Sequence, residues 1–394
     1  MRFRLHRVVV VALIAMAALV PAGCGGDESG GAEQVFGDYP TQRIDGDYDE
    51  TPSRARGILA ESIRLGERIV YGGAIEPTLT AGRGGGVIVD HRGVTDTLSG
   101  AQRSALDKYN VIAGYSALAA DRPYAQDNNP EGFLSVALIE LPDEQTAAAA
   151  AADMERADFT VNEANAPVAV TAYPTALSHW RPGVSSLGTW MASKSMVIRV
   201  LATTKDPDLG RLVDIVTRTL RQQVANLDGF VPTPVADLPA AKLDSDKLLT
   251  RIVKTGDYSP DAWNFAVYRL HAYSIGIRNP MADEQALQAL GVTSIAVSYN
   301  KYLFRLADAS KSEQFVQYLA SGTTDFDYQS MTGIPGNTSV SCYQATKTAT
   351  RNLAARHFRC VITHGEFVVE VYSDQDLDAR RLAAAQYALL ASAA

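Results

Sequence analysis

Cysteine is the residue type whose placement in this chain implies the most chemistry. Cys24 follows Ala22-Gly23 at the end of the apolar run Val8–Val20, and that run follows Arg2, Arg4 and Arg7. A charged and then apolar order is a secretory signal, and a run of 13 residues is too short to span a bilayer. The small pair before the cysteine reads as a bacterial lipoprotein cleavage box, with Cys24 as the first mature residue, carrying acyl chains. Pro21 stands where such boxes usually hold leucine, so the alternative is ordinary cleavage after Ala22, which leaves a free thiol. In an exported chain the other two cysteines, Cys342 and Cys360, read as a disulfide, the alternative being two buried thiols.

Other reactive side chains fail the spacing their chemistry needs. A serine nucleophile requires a glycine-flanked elbow, and Gly114-Tyr115-Ser116-Ala117-Leu118 and Gly183-Val184-Ser185-Ser186-Leu187 both lack the closing glycine. His91, His179, His271, His357 and His364 stand in no zinc-binding pattern, and adjacent Asp90 and His91 point apart on an extended chain. No metal, cofactor or catalytic residue is therefore expected. Asp45-x-Asp47-x-Asp49 begins like a calcium loop, but Glu50 and Arg56 occupy its glycine and glutamate places, so a solvated acidic run is expected. Gly82-Arg83-Gly84-Gly85-Gly86 lacks the Lys-Ser/Thr of a phosphate loop and reads as a surface turn. Trp180, Trp190, Trp263, Tyr258 and Tyr268 are candidates to line an apolar cleft for a lipid or glycan; core and interface packing is the competing expectation.

Composition narrows the partners. The net charge is −8, and removing residues 1–23 deletes three arginines and no acid, which takes it to −11. An acidic surface excludes nucleic acid, whose binding needs a basic footprint. With 46% hydrophobic and 20% charged residues, the mature chain of about 370 residues is ordinary globular protein, long enough for two domains.

The elements that would carry these residues repeat. Residues 24–50 are polar and glycine-rich and predict a flexible tether. A helix begins near Pro52 and ends at Gly72-Gly73. The first domain, 51–227, then predicts helix 98–109, strands 111–118 and 133–141, and helix 143–157. Strands 167–172, 187–192 and 196–202 follow, and then a long helix with Asp206 as its cap and Pro207 in its first turn. Leu209, Leu212, Val213, Val216, Leu220 and Val224 form its apolar stripe. The linker 228–245 holds Pro232, Pro234 and Pro239. The second domain, 246–394, runs in the same order: helix 282–290, strands 293–297 and 302–306, helix 312–320, strands 339–343, 357–362 and 367–372, and helix 376–390. Ser195–Val200 aligns with Glu366–Val371 at an offset of 171, the mark of a duplication, although two unrelated α+β domains can share such periodicity. Short turns between neighbouring strands favour antiparallel pairing. The expected fold is α+β: two similar domains, each an antiparallel sheet packed with helices, and each unfolding on its own.

With Cys24, Ile69-Val70-Tyr71-Gly72, Glu76-Pro77-Thr78-Leu79, the unit 133–152 and its echo 302–320 in view, the chain resembles an actinobacterial family of exported two-domain lipoproteins known only as a domain of unknown function. The resemblance implies export and two α+β domains; it lends no catalytic residue. The expected function is a non-catalytic binding protein on the extracytoplasmic face of the cell membrane, its ligand or partner a lipid, a glycan or an envelope protein. An envelope hydrolase with an unrecognised site, and a structural or assembly factor, are the alternatives.

Overall fold

In the computed structural model, residues 35–44, 48–88, 97–123, 129–256, 264–321, 328–346 and 356–392 are described. Cys24, Asp45, Asp47, Asp90, His91, Tyr258, Trp263 and residues 347–355 lie outside them.

The first domain opens with α1 (Arg54–Gly66), whose first turn is capped by Ser53 accepting the Arg56 N–H. A short α2 (Gly72–Ile75) follows. The glycine run expected as a turn is a strand, β1 (Ala81–Val87), laid along β2 (Ala113–Ala120). Its glycines are needed because a Cβ on Gly85 would sit 2.3 Å from the Ser116 carbonyl oxygen. After α3 (Gly100–Leu106) and β2 come β3 (Phe133–Glu140) and α4 (Glu144–Phe159), capped by Asp143. The strand expected over 167–172 shrinks to β4 (Ala166–Pro167), and an unexpected β5 (Leu177–Trp180) follows it. Next come β6 (Ser186–Ser193), β7 (Met196–Thr203) and the long α5 (Leu209–Asn226). The cap of α5 is Asp208, not Asp206: the Asp208 carboxylate accepts the Arg211 N–H at 3.0 Å, one turn inside the helix.

The second domain holds β8 (Phe265–Tyr268), α6 (Leu270–Ile275), α7 (Pro280–Ala289), β9 (Val292–Ser298) and β10 (Lys301–Leu306). Then come α8 (Ser312–Ala320), β11 (Tyr328–Met331), β12 (Val340–Ala345), β13 (Phe358–His364), β14 (Phe367–Ser373) and α9 (Asp376–Ala391).

Topology supports the duplication. The first sheet runs β1-β2-β3-β7-β6-β5-β4 and the second, read from its other edge, β8-β9-β10-β14-β13-β12-β11. Adding seven to each strand of the first gives the second, every neighbour being antiparallel in both. Cys342 stands opposite Cys360 on β12 and β13 and is disulfide-bonded to it. At the same place in the first sheet, on β5 and β6, Ser178 stands opposite Thr189 and their buried hydroxyls hydrogen-bond at 2.8 Å. One copy is stapled covalently where the other is held by a hydrogen bond.

Three hydrophobic clusters fill the layers. Ile139, Met154 and Trp190 join β3, β6 and α4 on the outer face of the first sheet. Leu303, Val369, Leu382 and the disulfide fill the space between the second sheet and α9. The third cluster crosses the junction, running from Leu138, Val216 and Leu220 of the first domain to Ile275, Phe304 and Phe315 of the second. Gly66 permits this closeness, since a Cβ there would meet the Tyr115 ring at 2.7 Å and the Ala272 methyl at 2.9 Å. The two halves thus share a core across the junction.

The described parts of the segments expected as tether and linker are also packed. Phe36 and Tyr39 lie against the second domain's core, and the Tyr39 hydroxyl donates to Asp378 at 2.7 Å. Asp49 is expected in a solvated run, but its side chain is 1% exposed, pairs with Arg56 at 2.9 Å and accepts the Leu243 and Asp244 N–H groups. In the linker Leu238 is fully buried, and the Thr233 N–H and hydroxyl donate to Glu61.

Candidate functional site

The β6–β7 turn and the end of α5 frame a cavity of about 340 Å³. Met196, Val224, Leu227 and Phe230 give it an apolar wall, while Lys194 and Arg221, both exposed, stand at its edge with Asp228. Lys194 takes a left-handed backbone conformation, φ 52°, which tightens the turn and brings Ser193 and Ser195 to the rim. Leu227 and Phe230 continue the apolar stripe of α5 past the end of the helix. The cavity can take an apolar body with an anionic end, and among the described residues its lining includes no histidine, cysteine or glutamate.

Close to this cavity lies a buried carboxyl pair. Glu140, at the end of β3, stands opposite Met196. It is 1% exposed, and its Oε2 has no hydrogen-bond partner among the described residues. Burial, with the charge of Glu61 added and Arg64 partly offsetting, pushes its pKa up to about 8. Glu61 is the satisfied member, accepting from Arg64 and from the Thr233 N–H and hydroxyl. Glu140 was legible as a charged residue inside the apolar run Ala137–Leu141, a pattern that a buried acid requires.

The domain junction carries a third polar group. His271, at the start of α6, directs Nε2 to the Ile69 carbonyl at 2.7 Å and Nδ1 to Glu284 at 3.4 Å. Both ring nitrogens face acceptors, so the imidazolium form fits the site. Burial lowers the His271 pKa, but Glu284, the Ile69 carbonyl and Glu67 outweigh it and leave it raised. Glu67 accepts the Ala272 N–H at 2.9 Å and its pKa is raised by burial. The Tyr71 and Tyr115 hydroxyls donate to the His271 and Ala272 carbonyls at 3.1 Å and 2.7 Å. These bonds span the two domains and read as a fastener.

The structure separates the candidate aromatics. Trp190 is fully buried on the α4 face, stacked 5.3 Å from His179, which lies between Glu155 and Asp158. Trp180 donates Nε1–H to the Val184 carbonyl and packs against the junction-crossing core, and Tyr268 is buried in that core from the other domain. None of the three lines the cavity. Ser116 is buried in β2, His357 lies beside Phe358, and His364 meets Tyr387 edge-on. In the second domain Arg359 is held between Tyr328 and Tyr343 and pairs with Glu370 at 3.2 Å, a buried packing unit. Among the described residues no group of three or more acidic, histidine or cysteine side chains is placed to hold a metal, and no helix is long and apolar enough to cross a membrane.

Two copies of one seven-stranded antiparallel sheet, each covered by helices, define a two-domain α+β protein. Residues 48–243 match the N-terminal and residues 248–393 the C-terminal domain of unknown function DUF7373, and the chain belongs to that family. A comparison with curated proteins finds no match. Among solved structures, the extracellular domain of PknH from Mycobacterium tuberculosis is similar to part of the chain. It is 11% identical, covers 43% of this chain and 97% of its own, and has a TM-score of 0.30.

Proposed function

We propose that this chain is an extracytoplasmic lipoprotein of an actinobacterial cell envelope, anchored to the membrane through Cys24, that binds a ligand rather than catalysing a reaction. The observation that carries the binding reading is the cavity at the end of α5. Its volume of about 340 Å³ lies in the range of ligand pockets, roughly 300–1,000 Å³. Its wall is apolar, and two exposed cations stand at its mouth. The complementary ligand is a small amphipathic anion, such as the end of an acyl chain with its carboxylate at Arg221 and Lys194. The anchor rests on the signal and the cysteine that follows it; two acyl chains give stable membrane binding where one gives marginal binding.

Titration with a fluorescent fatty acid tests the cleft. Saturable binding that Val224→Trp blocks and Arg221→Gln weakens is expected, and binding indifferent to both substitutions refutes the site. Detergent-phase partitioning of the wild type and Cys24→Ala tests the anchor separately, and equal release of both into the aqueous phase refutes it.

A further inference from the structure

A second cavity, of about 280 Å³, opens at one end of the second sheet. Ser294 of β9 stands directly opposite Arg305 of β10, and Arg269 follows β8 one position past the Tyr268–Ile295 pair. The three line the cavity side by side, with Asp246 and Glu366 on its margin. Arg305 is already answered, at 3.0 Å from Glu366 and 3.4 Å from Asp246. Arg269 makes no ion pair among the described residues, and its charge is felt by Glu67 at the junction. Ser294 is 7% exposed, and its hydroxyl has no hydrogen-bond partner among the described residues. A buried hydroxyl in a native fold ordinarily has a partner.

Arg269 and Arg305 face Asp246 and Glu366 across the lining, and Arg251 adds a further cation beside it. The Arg251 guanidinium lies 4.8 Å over the ring of Phe367, the residue opposite Arg305. Burial, together with the charges of Arg43 and Arg305, holds the Arg251 pKa below its ordinary value. An unanswered guanidinium, an unsatisfied hydroxyl and crowded arginines are the complement of an oxyanion. Asp246 and Glu366 limit how much negative charge the cavity accepts.

We propose that this cavity binds the carboxylate or phosphate group of a small ligand, with Arg269 pairing to it, Ser294 donating its hydroxyl, and Arg305 held in place by Glu366 and Asp246 as the third side. The site is separate from the cleft of the first domain. Isothermal titration of the purified protein with inorganic phosphate and with succinate tests it. Vesicles of phosphatidylglycerol, set against phosphatidylcholine, distinguish a lipid headgroup from a free oxyanion. Saturable binding of at least one probe is expected, weakened about tenfold by Ser294→Ala and by Arg269→Gln, partly restored in Arg269→Lys, and unchanged in Arg54→Gln. Thermal melts of the variants confirm that each is folded. The proposal is overturned if none of the probes binds, if binding survives both cavity substitutions, or if Arg54→Gln weakens it equally, which marks non-specific attraction to surface arginines.

Discussion

Glu140→Gln replaces a buried acid by a neutral side chain of the same shape, and the structure gives the sign and size of its effect. The Glu140 pKa is pushed up to about 8 in the folded chain, whereas an unfolded glutamate ionises near 4.3–4.5. The folded state therefore binds the proton more tightly, and stability falls as pH rises from the unfolded value through the folded one. Between about pH 5 and about pH 8.5 this one group should remove about 4 kcal/mol, at about 1.4 kcal/mol per unit. At the acid end both side chains are neutral, and the amide N–H₂ has no ready partner, so the variant should be about 1 kcal/mol less stable there. At the alkaline end the wild type carries a buried charge beside Glu61, so the variant should be the more stable by a few kcal/mol. Urea unfolding of both proteins across this range, followed by circular dichroism, measures the difference, in which all other titrations cancel. Parallel curves with no crossing would falsify the assignment of a buried, protonated Glu140.

Three further outcomes follow from particular contacts. Reduction of the Cys342–Cys360 disulfide, which closes a separation of 18 residues, should destabilise the fold by about 3 kcal/mol in the chain-entropy account; an unchanged melting temperature with dithiothreitol, or two free thiols in the unfolded unreduced chain, refutes it. The raised His271 pKa means that its contribution is complete below about pH 6.5 and is lost as pH rises through the folded value. Protection from hydrogen exchange at the α1–α6 contact, taken relative to the intrinsic base-catalysed rate, should accordingly fall in the alkaline range in the wild type, and His271→Gln should abolish that fall; an identical protection profile in the variant counts against the fastener. Because one core crosses the junction, both halves should lose structure in a single transition, and two resolved transitions in calorimetry would show that the shared core does not couple them.

The elements most legible in the sequence were those whose signal is local. The apolar stripe of α5, the α8 bounds at Ser312 and Ala320, and the β7–β14 offset of 171 came directly from spacing, since periodicity reports which face an element buries. The Asp206 cap failed because three acidic or proline residues crowd that turn and only the helix's register selects Asp208. The strand β1 was hidden because glycine carries no apolar alternation to read, and its pairing with β2 depends on a close backbone approach.

The sequence by itself determined the duplicated α+β architecture, the cysteine pairing and the failure of the familiar catalytic patterns, because each depends on residue types at short or repeated separations. Tertiary structure alone decided which residues share a cavity. Met196 and Phe230, or Arg269, Ser294 and Arg305, are brought together by strand register and by chain that folds back over a sheet end, and no local spacing records such a meeting. The same holds for Glu67 and the Ala272 N–H: their contact exists because the two domains press one continuous core together, so the polar groups at that junction had to find partners across it.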